Sequence, residues 1–150
     1  MPLRDPAAPV SFGSVPPHVV LAFDYGTRRV GIASGNTLTR SATPLAAVFA
    51  EGDARFAAID RLIAEWRPAA LVVGVPRHPD GAAHDNTRRA ERFARQLRGR
   101  FGLTVHEVDE RYSTTEARTR LGRDGAGPAG RDIDAVSAAV ILEQFLGRLA

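Results

Sequence analysis

Two short segments, Val19–Phe23 (VVLAF) and Ala70–Val75 (ALVVGV), are apolar at consecutive positions, and both are too short for a buried helix. A strand with one wet face alternates apolar and polar side chains, so a strand without that alternation must be covered on both faces. The two segments therefore predict a sheet sandwiched between helices, an α/β layer structure. The first of them runs straight into Asp24. Burying an unpaired carboxylate costs on the order of several kcal/mol, so Asp24 requires a hydrogen-bond donor, a cation or water within reach.

The remaining elements follow from periodicity and punctuation. His18 to Tyr25 and Arg28 to Ser34 read as strands joined through the two residues Gly26-Thr27, a tight antiparallel hairpin. Ala42 to Phe49 reads as a third strand. Phe56, Ile59, Leu62, Ile63 and Trp66 recur at helical spacing, predicting a helix from Asp53 to Trp66 that Pro68 stops. After Ala70–Val75 and the polar loop RHPDGAAHDN, a second helix from Asn86 to Arg100 carries Ala90, Phe93, Ala94 and Leu97 on one face. LTVHEVDE supplies a strand with Leu103, Val105 and Val108 apolar. Ser113 and Glu116 form a capping box that opens a short helix. Gly122 to Arg131 is too rich in glycine to pack, and a last helix from Ile133 to Leu149 keeps Val136, Val140, Phe145 and Leu149 as a buried stripe. The order β-β-β-α-β-α-β-α-α predicts an α/β fold: a ribonuclease H-like mixed sheet, with an antiparallel opening hairpin and then parallel strands, flanked by helices.

The 150 residues suit one compact domain, here residues 18–150. Residues 1–17 hold five prolines and no continuous apolar run, which predicts a disordered leader rather than a signal peptide. With no cysteine, disulfides and thiolate metal sites are excluded, in keeping with a reducing cytoplasm. No apolar run approaches the roughly 20 residues of a spanning helix, so no membrane role is expected. Every cationic side chain apart from histidine is arginine, yet the net charge is only +3. That balance permits a nucleic-acid partner without demanding one, and the placement of the arginines matters more than their sum.

Three carboxylates stand at element boundaries: Asp24 closing the first strand, Glu110 closing HEVDE, and Asp134 opening the last helix. Each has an ordinary explanation. Asp24 suits a turn, Glu110 beside Arg111 suits a surface ion pair, and Asp132 or Asp134 suits a helix N-terminus. If the strands are neighbours and the helix starts beside them, the three converge, and their repulsion calls for a divalent cation. Oxygen-only ligation favours Mg²⁺ or Mn²⁺ over zinc. Such a centre suits phosphodiester hydrolysis.

Four segments in order, AFDYGTRRVGIA, LVVGVPRHPDG, VDERYSTTEA and DIDAVSAAVIL, resemble the YqgF/RuvX family of RuvC-like, ribonuclease H-fold proteins, known as Holliday-junction resolvases and pre-16S rRNA nucleases. The resemblance spans about Val19 to Leu146. It implies a metal-dependent endonuclease with Asp24, Glu110 and Asp134 as catalytic metal ligands. Asp134 precedes the small apolar run AVSAAVIL as the family's final aspartate does, with Asp132 the other candidate. Ser137 stands where alanine is common, and Arg77 and His78 where relatives often carry uncharged residues.

Arg88, Arg92 and Arg95, spaced i, i+4 and i+7, form a cationic stripe on the second helix that suits phosphate oxygens, or else a solvated face partly balanced by Glu91. Arg28 and Arg29 in the hairpin, Arg77, Arg111, and Arg123 and Arg131 in the glycine-rich segment complete the expected nucleic-acid contacts. His78, His84 and His106 lack metal-ligand spacing, and Trp66 reads as a helix anchor. The substrates expected are structured RNA, foremost the 5′ end of the small-subunit rRNA precursor, and branched DNA, acted on by a monomer or homodimer. Two other classes compete. One is a non-catalytic RNA-binding module for ribosome assembly. The other follows from DYGT, which also resembles the first phosphate loop of actin-like ATPases, although those need two such domains around the nucleotide.

Overall fold

The computed structural model describes residues 18–77, 80, 85–109 and 133–149. Five strands, β1 (Val19–Tyr25), β2 (Val30–Asn36), β3 (Ser41–Val48), β4 (Ala70–Val75) and β5 (Val105–Asp109), form one sheet in the order β3-β2-β1-β4-β5. β1–β2 and β2–β3 pair antiparallel, and β1–β4 and β4–β5 pair parallel. The parallel steps are made through helices α1 (Gly52–Trp66) and α2 (Asp85–Phe101), and α3 (Ile133–Leu146) lies across the other face.

The unbroken apolar runs are explained by two cores that share the strands between them. Odd-numbered residues of β1 and β4, among them Leu21, Phe23, Leu71 and Val73, pack with Phe56, Ile59, Phe93 and Leu97 of α1 and α2. Even-numbered Val20, Ala22 and Val72 pack with Ala138, Ala139, Ile141 and Leu142 of α3. Because successive side chains point to opposite faces, every position of these strands has an apolar neighbour. Trp66 packs against the first core, as an anchor would. α1 ends where Arg67 turns into the left-handed region at φ 46° and donates its amide to the Ile63 carbonyl over 2.8 Å, just ahead of Pro68.

Three details depart from the reading of the sequence. The hairpin loop has four residues rather than two, because Tyr25 pairs with Val30 and leaves Gly26 to Arg29 unpaired. A β-carbon on Gly26 would stand 2.6 Å from the Arg29 carbonyl oxygen, so the turn closes only over glycine. α3 stops at Leu146, short of Leu149. It is also buried around nearly its whole circumference: Val136 and Val140 join Ile133 in a small cluster of their own, while Ala138, Ile141, Leu142 and Phe145 face the sheet. A helix covered all round shows no single apolar stripe. The leader, the capping box and the glycine-rich segment lie outside the described residues. No helix among the described residues is long and apolar enough to cross a membrane.

Candidate active site

Asp24 occupies the half-buried end of β1 and shares the parity of Val20 and Ala22, so its side chain projects on the α3 side of the sheet. Its cross-strand neighbours are both glycines, Gly31 on β2 and Gly74 on β4. The row through Asp24 therefore carries no side chain on either flank. At Gly31 that space is taken by backbone: a β-carbon there would collide with the Asp134 carbonyl and stand 2.8 Å from the Ala135 amide nitrogen. The first turn of α3 thus rests on the residue paired with Asp24. The fold brings Asp24 and Asp134 to the same corner of the sheet although 110 positions separate them in the chain.

Asp134 already has a cationic neighbour. Arg29, the last residue of the hairpin loop, brings its Nε to 2.6 Å from Asp134 Oδ2, with the aspartate side chain only 18% exposed and the arginine 48%. The loop arginine expected to touch nucleic acid is therefore bound to a candidate metal ligand. Arg28 beside it is exposed. β5 ends at Asp109, paired with Val75 at this same end of the sheet. Glu110, Arg111, Arg123, Arg131 and Asp132 lie outside the described residues. Among the described residues no three His, Cys, Asp or Glu side chains gather into a metal site. The donor chemistry of Asp24 and Asp134 nevertheless fits a hard divalent cation, since both offer carboxylate oxygen only.

On the opposite face, the turn is held by a residue that the sequence reading did not single out. Arg55 of α1 is 5% exposed; its Nε donates to the Ala50 carbonyl over 2.8 Å, and its Nη2 donates to the Gly26 and Thr27 carbonyls, each over 3.0 Å. Its guanidinium also stands over the Tyr25 ring, 5.3 Å from the centroid. A signal was present in the sequence: Arg55 sits four positions before Ile59, within the buried stripe of α1.

The α2 arginines divide. Arg88, Arg89, Arg92 and Arg95 are all exposed, and of them Arg89 and Arg92 line, with Gln96, a cleft of about 350 Å³ between α1, α2 and the hairpin turn. Of the three arginines of the expected stripe only Arg92 lines this cleft, and the α2 arginine beside it there is Arg89. Arg77, following β4, lies 3.8 Å from Glu91 of α2. His106 stacks its ring 4.9 Å from Phe145 and belongs to the α3 packing, while His78 and His84 lie outside the described residues.

A mixed five-stranded sheet with Asp24 at the end of its first strand and Asp134 opening the helix that rests beside it is a RuvC-like architecture. The structure of T. thermophilus RuvC in complex with Holliday junction substrate aligns over 87% of this chain and 95% of that one, with a TM-score of 0.51 and 19% identity, a likeness of fold. Residues 18–148 match the RuvX family model, described as Holliday junction resolvase, and the chain belongs to that family. A Polaromonas protein named "Putative pre-16S rRNA nuclease" is 63% identical over 129 residues, covering 86% of this chain and 88% of the relative. One of the same name from Albidiferax ferrireducens is 56% identical, covering 97% and 92%.

Proposed function

We propose that this member of the RuvX nuclease family is a metal-dependent endonuclease that processes the 5′ end of pre-16S rRNA, with Asp24, Glu110 and Asp134 as its catalytic metal ligands. The observation that carries this reading is the shared glycine. Gly31 is both the strand partner of Asp24 and the seat of the Asp134 backbone, so the two residues, far apart in the chain, share one corner of the sheet. Like charges so disposed favour a bound cation. When bound, Mg²⁺ or Mn²⁺ polarises the phosphoryl group and lowers the pKa of an attacking water.

The chain's own residues then have separable tasks. Asp24 and Asp134 would hold the cation, Gly31 admits the first turn of α3 against the strand, Gly74 puts no side chain beside Asp24, and Arg29 pairs with the Asp134 carboxylate. Arg28 and Arg92 hold phosphates without reading sequence. The names of the Polaromonas and Albidiferax relatives support precursor rRNA as the substrate, and the family description supports a four-way DNA junction as the second class.

The test is incubation of wild type and Asp24→Asn with precursor rRNA and with a four-way DNA junction, with and without Mn²⁺. Cleavage of the RNA by wild type alone, and only with metal, is expected. Cleavage retained by Asp24→Asn removes the mechanism. Tight RNA binding with no cleavage under any metal replaces it with a non-catalytic assembly role.

A further inference from the structure

The cleft on the α1/α2 face lies at the same end of β1 as Asp24 but on the other side of the sheet, since Tyr25, the residue after Asp24, contributes to its lining. Three guanidinium groups line it, those of Arg55, Arg89 and Arg92, against one carboxylate, Glu51. Arg55 is fixed by three backbone carbonyls, all accepted from Nε and Nη2, and its Nη1 donates no hydrogen bond among the described residues. Arg92 has no ion pair among the described residues, and Arg89 Nη1 reaches only Asn86 Oδ1, over 3.2 Å. The rim is completed by Glu51 and Gly52 at the start of α1, where Glu51 caps without any side-chain bond, so the helix's leading amides and positive dipole end border the same space. A buried arginine with a free edge, two exposed arginines and a helix start surround a volume large enough for a phosphate and its sugar, an excess of positive charge that suits an anion.

We propose that this cleft binds a phosphodiester group of the nucleic-acid strand, flanking the one presented to Asp24 and Asp134. The inference rests on the nuclease reading above and gives it a second anchoring point. A strand held here has to cross the end of the sheet over the hairpin turn, past exposed Arg28, to reach the α3 side. Arg55 ties the two points together, because the same guanidinium that lines the cleft grips the carbonyls of Gly26 and Thr27, two and three residues beyond Asp24. Arginine forks and backbone amides are suited to phosphate oxygens and indifferent to base identity, so the site positions the strand and does not select its sequence.

The experiment measures binding of a labelled single-stranded RNA oligonucleotide to the full chain in EDTA across a salt series, without cleavage. Arg89→Gln/Arg92→Gln is compared with Arg88→Gln/Arg95→Gln, which removes as many charges from the same helix away from the cleft. The cleft pair is expected to weaken binding at least about tenfold at low salt and to flatten the slope of log K against log[salt] by about 0.7, the value for one lost phosphate contact on a single strand. Equal losses in the two double variants overturn the proposal in favour of a diffuse cationic face. A second arm titrates adenosine monophosphate and inorganic phosphate: if either binds at the cleft while the Arg89/Arg92 variant holds RNA as wild type does, the cleft serves a free phosphate compound and the strand assignment falls. Because no metal is present, the outcome is independent of whether Asp24→Asn abolishes cleavage, so the two readings fail separately.

Discussion

The two faces of the sheet are packed by different means. On the α1/α2 side the contacts are made by large side chains: Phe93 meets Phe23, Tyr25 and Phe56 at centroid distances of 5.9, 5.1 and 5.9 Å. On the α3 side small residues, Ala22, Ala33, Ala138 and Ala139, bring backbone close to backbone, most closely at Gly31. Bulky contacts hold helices at a distance and leave a cleft at the margin, whereas small contacts fix the start of α3 directly on the strand that flanks Asp24. The first face supplies stability and a surface; the second sets Asp134 directly against the strand that pairs with Asp24.

Substitutions can test whether that division holds. The largest stability loss is expected on the aromatic side: Ile59→Ala, fully buried, should cost about 2–5 kcal/mol by urea denaturation while cleavage per folded molecule is retained. Gly31→Ala should cost about 1–3 kcal/mol, since its β-carbon has only backbone to displace, and should abolish cleavage at temperatures where the protein is still folded. If Ile59→Ala harms cleavage as much as Gly31→Ala does, the faces are not divided in this way. Arg55→Met leaves the Gly26, Thr27 and Ala50 carbonyls without their donor and should cost about 1–3 kcal/mol in the same measurement. The smallest stability change belongs to Arg29→Ala, under about 1 kcal/mol because the arginine is half exposed. That variant should nevertheless bind Mn²⁺ several-fold more tightly by calorimetry, as a competing cation has left Asp134.

Much of this arrangement is written in local sequence. The unbroken apolar runs gave both central strands, the spacing of Phe56 through Trp66 gave α1 to within a residue, and Asp24 stood out because a strand buried on both sides ended on it. What could not be read has a common cause, dependence on partners distant in the chain. Gly26-Thr27 looked like a complete turn, but the loop takes four residues once Arg55, nearly 30 positions later, holds its carbonyls. The spacing of Arg88, Arg92 and Arg95 identified an exposed face of α2 but not which flank borders α1, so Arg89 went unnoticed. The stripe assigned to the last helix was incomplete because a helix buried all round has no polar face to contrast with it.

The margins of the sheet carry one more consequence. In the described sheet β3 is an outer strand, and it holds Pro44, which has no amide hydrogen to offer, at the step where the β2–β3 register shifts between Ile32 and Ala33. The opposite margin, β5, is five residues long and bears the acidic Glu107 and Asp109. Neither rim invites a second strand to zip alongside, the habitual route to fibrils for open sheets. A second copy of this chain therefore finds neither described strand edge suited to extending the sheet.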